Sequence, residues 1–498
     1  MSNWHRHLPE QLHPSEIELG VGETLPAVWV SNWQTHPERN VIHDPALGWI
    51  SAGDLLDRSE VIARRLANAG VELGDRVLLS AASSVELVAA HTAALRLGAV
   101  VMPTNGAYRA DEVTHVVSDA RPKVAIVDRP EWSEWIHSCD STVLVTSPSV
   151  EMEEGPSVRL DQIGAGSSAL IGYTSGTTGR PKGAVLSHGN LLSSVRALEI
   201  AWRWQPQDIL ILALPLFHMH GLGVGLHGSL AIGAQAVLLP EFEVTDVLDS
   251  IKKHHASMFF GVPTMYSRLV ESSRAGELSQ LRLCVSGSAP LAAALHRRIQ
   301  EVSGQRVLER YGMTETAMLV SNPYEGERRP GSVGFPLPGV EVLLKGDPPE
   351  ILVKGPNVFQ GYWERPEANS QAFDDGWFRT GDLGALDPDG YLSIVGRAKE
   401  MIISGGFNVY PREVEDVISQ HEAIRECAVV GEPDEEWGET VVAFVVADRE
   451  LSLDEIKNFV GERLAHYKRP RRTYRIDSMP RNALGKVQKH RLAEQSIS

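Results

Sequence analysis

Between Tyr173 and Gly183 the chain reads YTSGTTGRPKG: three glycines, three threonines, one serine and one lysine in eleven residues. Glycines such as Gly176 and Gly179 permit backbone angles at which successive N–H groups converge on one point, and such a nest binds anions. The hydroxyls of Thr174, Ser175, Thr177 and Thr178 add donors, and Lys182 adds a compact positive charge suited to phosphate. A flexible surface loop would account for the glycines. It would not account for the apolar run 168–171 leading in, or for Pro-Lys-Gly closing the stretch. The Walker pattern, Gly-Lys-Ser/Thr opening a helix, is also absent. The composition points to a phosphate cradle of another type.

Two further places carry candidate chemistry. Asp382, in WFRTGDLG, is a carboxylate suited to accept hydrogen bonds from both hydroxyls of a ribose. His218 and His220 follow an apolar run that ends at Pro215, and His227 lies nearby. No carboxylate or cysteine completes a recognisable metal-ligand spacing with them, so the pattern does not argue for a metal.

The elements that must position these groups are read from hydrophobic period. Ser51 with Asp54 has the form of a helix N-cap, Leu55, Ile62 and Leu66 recur at helical spacing, and Gly70 closes the helix. Strands are expected at 76–80, 99–102, 123–127 and 142–145, with an amphipathic helix over 86–97. Strand and helix thus alternate, which favours parallel sheets with helices on their faces. Further buried strands are expected at 209–214, 257–260 and 281–285. Each runs into small or aromatic residues at its carboxyl end, where open α/β sheets bind ligands. A small β-rich unit follows 351, and the residues after about 399 form a compact α+β unit.

Composition sets the outer bounds. The chain has 498 residues, 43% hydrophobic and 22% charged, which is ordinary for a globular protein with several domains. A net charge of −17 argues against a nucleic-acid partner or an anionic membrane. Cys139, Cys284 and Cys427 are odd in number and far apart, which fits a reducing cytoplasm better than a disulfide framework. No signal peptide and no membrane span is expected.

YTSGTTGRPKG resembles the phosphate-loop signature of the AMP-forming adenylating enzymes: acyl-CoA synthetases, peptide-synthetase adenylation domains and firefly-type luciferases. The resemblance implies ATP, Mg²⁺ and coenzyme A as cofactors. It implies activation of a carboxylate to an acyl-adenylate, then transfer of the acyl group to a thiol. The implied fold is α/β: a large N-terminal domain (1–398) of two α/β subdomains plus a β-rich one, and a small mobile C-terminal domain (399–498). Carried over by motif, Gly287, Ser288 and Ala289 of SGSAP and the Tyr311-Gly312 pair of LERYGMTET flank adenine. Thr314 contacts the α-phosphate, Glu315 holds Mg²⁺ with help from Thr174, and Arg397 joins Asp382 at the ribose. His218 sits beside the substrate carboxylate, and Lys399 is the hinge. Gly405, Gly406 and Phe407 line a pantetheine tunnel, and Lys486, in PRNALGKVQK, is the catalytic lysine. A basic tract, 468–475, is a further candidate for the CoA phosphates.

The acid is less constrained. His218 after Phe217 replaces the aspartate that amino-acid-activating relatives use, which argues against an amino acid. The motifs SGSAPL, LERYGMTET, GGFNVYP and PRNALGKVQK are similar to those of the malonyl-CoA synthetase subgroup and of fatty-acid–CoA ligases. Yet 221–250, expected to line the acyl pocket, contains no lysine or arginine; Arg282 is the nearest cation to pair a second carboxylate, and an arginine before a buried strand fits a structural role equally well. Malonate-type, fatty and aryl acids all stay open at this point. CoA is the default acceptor, with an amine or carrier protein as the alternative. A non-catalytic nucleotide-binding homologue would have no need of Lys486. A homodimer is an open expectation.

Overall fold

The architecture follows from strands too apolar to face water on either side. Val77, Leu78, Val124, Ala125 and Ile126, or Leu210, Ile211, Leu212, Phe259 and Phe260, are buried in unbroken runs. Such runs need helices on both faces of a sheet. The computed structural model describes residues 3–20, 22–174, 181–404, 406–434, 437–482 and 486–495. Among them the strands form four sheets, of nine, seven, five and five strands.

The nine-stranded sheet is parallel from Asn40–Asp44 through Gln235–Leu238, Ile209–Leu212, Met258–Gly261, Leu283–Ser286 to Leu308–Tyr311. Antiparallel strands close its two edges. The seven-stranded sheet is parallel over Arg76–Ser80, Val100–Pro103, Val124–Val127, Leu144–Thr146 and Ser168–Thr174. Lys182–Ser187 then returns antiparallel to Ser168–Thr174. The helix Val85–Leu97 is buried at nearly every position, and one apolar cluster joins it to His188–Trp202 and to residues of both sheets. A helix apolar on all sides belongs in the interior. Sequence expectations for these elements hold to within a few residues, including the Ser51–Asp54 capping box.

The third sheet, built on Glu350–Lys354, Trp377–Leu386 and Leu392–Arg397, is the expected β-rich unit. One strand departs from it. Gly361–Tyr362 leaves to pair with Lys182–Ser187 on the seven-stranded sheet. Phe335–Pro336 is an edge strand beside Val320–Ser321. The fourth sheet, with the helices Pro411–Ile418 and Leu453–Gly461, encloses its own apolar clusters around Val429, Val441 and Val442. It is the small C-terminal domain.

Candidate active site

The carboxyl ends of Ile209–Leu212, Leu283–Ser286 and Leu308–Tyr311 open onto one edge of the nine-stranded sheet, the ligand-binding end of such sheets. Gly287, Ser288 and Ala289 leave one of these strands beside Tyr311 and Gly312, which leave its parallel neighbour. Ser288 takes φ +68°, a conformation that residues with a side chain seldom adopt. Its hydroxyl lies 3.4 Å from His220 Nδ1 and 3.5 Å from Arg310 Nη2. A Cβ on Gly287 would stand 2.4 Å from the Arg310 guanidinium, so glycine is what lets that side chain pass.

Arg310 is the anomaly of the site. It is 4% exposed, and among the described residues it has no carboxylate within ion-pair distance and no acceptor for Nε. Burial pushes its pKa down to about 9. A buried cation without a counter-charge costs several kcal/mol on the order of magnitude expected for buried ions, which folding rarely tolerates without a use. His218 is nearby: burial, then the charges of Arg310 and Lys486, hold its pKa at about 4. The ring is therefore neutral at pH 7. Its Nδ1 accepts from the His220 N–H at 3.3 Å, which places the proton on Nε2, a donor with no acceptor among the described residues.

A second group lies around Asp382. Asp382 and Arg397 face each other across antiparallel strands, with Arg397 Nε 3.2 Å from Oδ1. The Tyr311 hydroxyl donates to Oδ2 at 2.6 Å. Tyr311 is thereby fixed at its tip, with its ring at the mouth of the strand.

The third group gathers where the strand Ser168–Thr174 ends and Lys182–Ser187 begins, with Thr174 and Lys182 as register partners. Ser175, Gly176, Thr177, Thr178 and Gly179 lie outside the described residues. Gly172 presses on Thr314: a Cβ there would meet Thr314 Cγ2 at 2.5 Å. Thr314 opens a 3₁₀ turn that carries Glu315 inward. Burial raises the Glu315 pKa, opposed in part by hydrogen bonds that include Tyr362 and Thr174. Tyr362 donates to Oε1 at 3.0 Å. Glu315 is thus a buried carboxylate with hydroxyls beside it and, among the described residues, no ion-pair partner. This donor set of carboxylate plus hydroxyl suits a hard divalent cation such as Mg²⁺.

Lys486 enters from the C-terminal domain. Its N–H donates to Asn482 Oδ1 at 3.0 Å. Burial, then the charge of Arg397, lowers its pKa, against the pull of Glu400 and Asp382. The lysine therefore stands within electrostatic reach of His218, Asp382 and Arg397. Lys399 is exposed on the 3₁₀ turn Ala398–Glu400. Arg412 Nη1 donates to Ile394 O at 2.7 Å and binds the small domain to the strand before that turn. Gly406 takes φ +81°, and Phe407 is 52% exposed and stacks on Tyr467 at 4.5 Å. Gly405 lies outside the described residues.

The model of the AMP-binding enzyme family covers residues 29–363, and that of the AMP-binding enzyme C-terminal domain covers 413–486. The chain belongs to the AMP-binding enzyme family. It is 35% identical over 471 residues to a malonate–CoA ligase of Arabidopsis thaliana, covering 84% of this chain and 78% of that one. The ATP-bound structure of MatB from Rhodopseudomonas palustris superposes with a TM-score of 0.90 at 38% identity, over 95% of this chain and 99% of the other. The o-succinylbenzoate CoA synthetase MenE of Bacillus subtilis, solved with its acyl-adenylate OSB-AMP, gives 0.85 at 31% identity, over 95% and 98%.

Within this AMP-binding enzyme, Arg282 takes the structural one of the two roles open to it in sequence. It precedes its strand and so sits at the end remote from the site. There it donates to Asp208 at 2.7 Å and to the Trp202 and Arg203 carbonyls. Arg310 and Tyr362 were missed. Arg310 was quoted within LERYGMTET, but only folding shows that it points at Ser288 rather than at a partner. In the basic tract, Lys468 and Arg472 are already engaged by Glu413 and Glu432. His227 pairs with His91 at 2.8 Å inside the core.

Proposed function

We propose that the chain is an ATP-dependent, AMP-forming carboxylate–CoA ligase whose acid is a small dicarboxylate of the malonate class. In the first half-reaction a carboxylate oxygen attacks the α-phosphorus of ATP, and the bond to pyrophosphate breaks. Lys182 and the 175–180 segment hold the phosphates, and Thr314 contacts the α-phosphate. Asp382 and Arg397 hold the ribose, against which Tyr311, Gly287, Ser288, Ala289 and Gly312 frame the adenine. Lys486 bridges attacking oxygen and α-phosphate, a preorganised charge where charge develops. Glu315 with Thr174 would hold Mg²⁺, which when bound neutralises phosphate charge. The remaining catalysis is positioning. In the second half-reaction the small domain turns about Lys399, withdraws Lys486 and brings in Gly405, Gly406 and Phe407. The CoA sulfur attacks the acyl carbonyl, the thiol gives up its proton, and AMP leaves.

Arg310 carries the choice of acid. A monocarboxylate would leave its guanidinium unpaired, whereas a second carboxylate would meet Arg310, the Ser288 hydroxyl and His218 Nε2. The relatives named malonate–CoA ligase and o-succinylbenzoate CoA synthetase support an acid of this kind. Three free cysteines, two of them only partly covered, support a reducing cytoplasm.

The test is pyrophosphate release across malonate, methylmalonate, fatty acids of rising length and benzoates, with and without CoA. Malonate-type selectivity with thioester formed supports the reading in full. Selectivity for apolar acids would overturn the dicarboxylate, and turnover without thioester would overturn CoA as acceptor. An amine or carrier-protein product would then place the chain in another branch of the family.

A further inference from the structure

Tyr362 stands between the two charged groups of the triphosphate end. Its hydroxyl donates to Glu315 Oε1 at 3.0 Å, and its ring centroid lies 5.2 Å from Lys182 Nζ, within cation–π range. Lys182 and Glu315, opposite in charge and neighbours of the same ring, form no ion pair with each other. The ring itself is held from several sides. Tyr362 pairs with Ala184 on the strand that Lys182 begins. Asn369 accepts from the Tyr362 N–H at 2.6 Å and donates to its carbonyl at 3.1 Å. Phe359 packs edge-on at 4.9 Å.

We infer that Tyr362 is a positioning residue that keeps Glu315 and Lys182 apart and aims each at its own part of the triphosphate site. Without the ring, a buried carboxylate and a nearby ammonium would close on one another, since an unpaired buried charge seeks a partner. Glu315 would then be lost to a cation and Lys182 to phosphate. The hydroxyl and the ring act separately: the first orients Glu315, the second seats Lys182. The inference rests on the nucleotide reading above.

The test uses the full chain, with ATP and AMP binding measured by calorimetry in Mg²⁺ and in EDTA. Y362F keeps the ring and loses the hydroxyl. The Mg²⁺ concentration that half-restores ATP affinity should rise about tenfold, the value of one hydrogen bond to a charged group, with ATP affinity in EDTA unchanged. Y362L loses both: it should show the Mg²⁺ shift of Y362F and in addition bind ATP about tenfold more weakly in EDTA, while AMP, which lacks the outer phosphates, stays near wild type. An unaltered Mg²⁺ dependence in Y362F, or a Y362L variant indistinguishable from Y362F, would overturn the inference. If Y362L does not fold, the Mg²⁺ shift in Y362F decides alone. Wild type that binds neither ATP nor AMP would instead sink the nucleotide reading.

Discussion

The hydroxyl of Tyr311 donates to Asp382 at 2.6 Å while Arg397 approaches the other carboxylate oxygen at 3.2 Å. Both oxygens of Asp382 are therefore oriented in advance, and the Tyr311 ring is clamped by its tip. The Y311F variant keeps the ring and frees the tip. AMP affinity measured by calorimetry should fall about fivefold, as for loss of one hydrogen bond. D382N loses the charge that strengthens several bonds, and its fall should be about a hundredfold. Equal losses in the two variants would show that the clamp and not the ribose contact is what matters.

K486A should lower pyrophosphate exchange by at least about a hundredfold, the range of a removed transition-state donor. ATP binding should stay within a few-fold of wild type, because the lysine's proposed contribution is to the transition state and it belongs to the other domain. Supplied acyl-adenylate should still be converted to thioester. Normal exchange in this variant would remove Lys486 from the chemistry.

R310M should exchange selectivity and not merely lose activity. Malonate kcat/KM should drop by about a hundredfold or more, as when one partner of a buried charge pair is removed. Straight monocarboxylates of similar length should gain, because the unpaired cation that excluded them is gone. A uniform loss across the acid panel would point instead to a collapsed pocket.

Acid should destabilise the fold well above the carboxylate range. Burial holds the pKa of His7, His188 and His218 at about 4 and that of His91 at about 3. The unfolded chain takes up these protons near 6.5, so the stability is complete above that pH and is lost as pH falls toward 4. Each histidine contributes about 1.4 kcal/mol per pH unit over this window. Glu309 acts in the opposite sense. Burial, opposed by Arg412 and the Leu291 N–H, raises it to about 7, so its contribution is lost as pH rises from about 4.5 to 7. Urea midpoints should therefore fall below pH 6.5, and more steeply in E309Q. A flat profile from pH 7 to 5 would contradict the histidine assignment, and an E309Q profile no steeper than wild type would contradict that of Glu309.

The strands and helices around the site were legible because the apolar runs are short, dense and closed by glycine or a cap. Asp382, Tyr311 and Lys486 were legible because each stands in a motif with few alternatives. What escaped was pairing. Arg282 and Arg310 look alike in sequence, each an arginine beside a buried strand. One begins its strand next to Asp208, and the other ends inside the sheet opposite Ser288. Strand direction decides between them, and a lone sequence does not reveal it. Tyr362 escaped because a two-residue strand crossing from one sheet to another leaves no periodic signal.

The six residues Leu392–Arg397 give the molecule a shared lever. At one end Arg397 grips Asp382; in the middle, Ile394 accepts from Arg412 of the small domain; two residues on comes the turn at Lys399. If Asp382 and Arg397 hold the ribose and the small domain turns as proposed, emptying that pocket would loosen the same strand that the domain must let go. Departure of AMP and the return stroke of the domain are thus expected to share one rate, and a probe on Arg412 would time the enzyme's whole cycle.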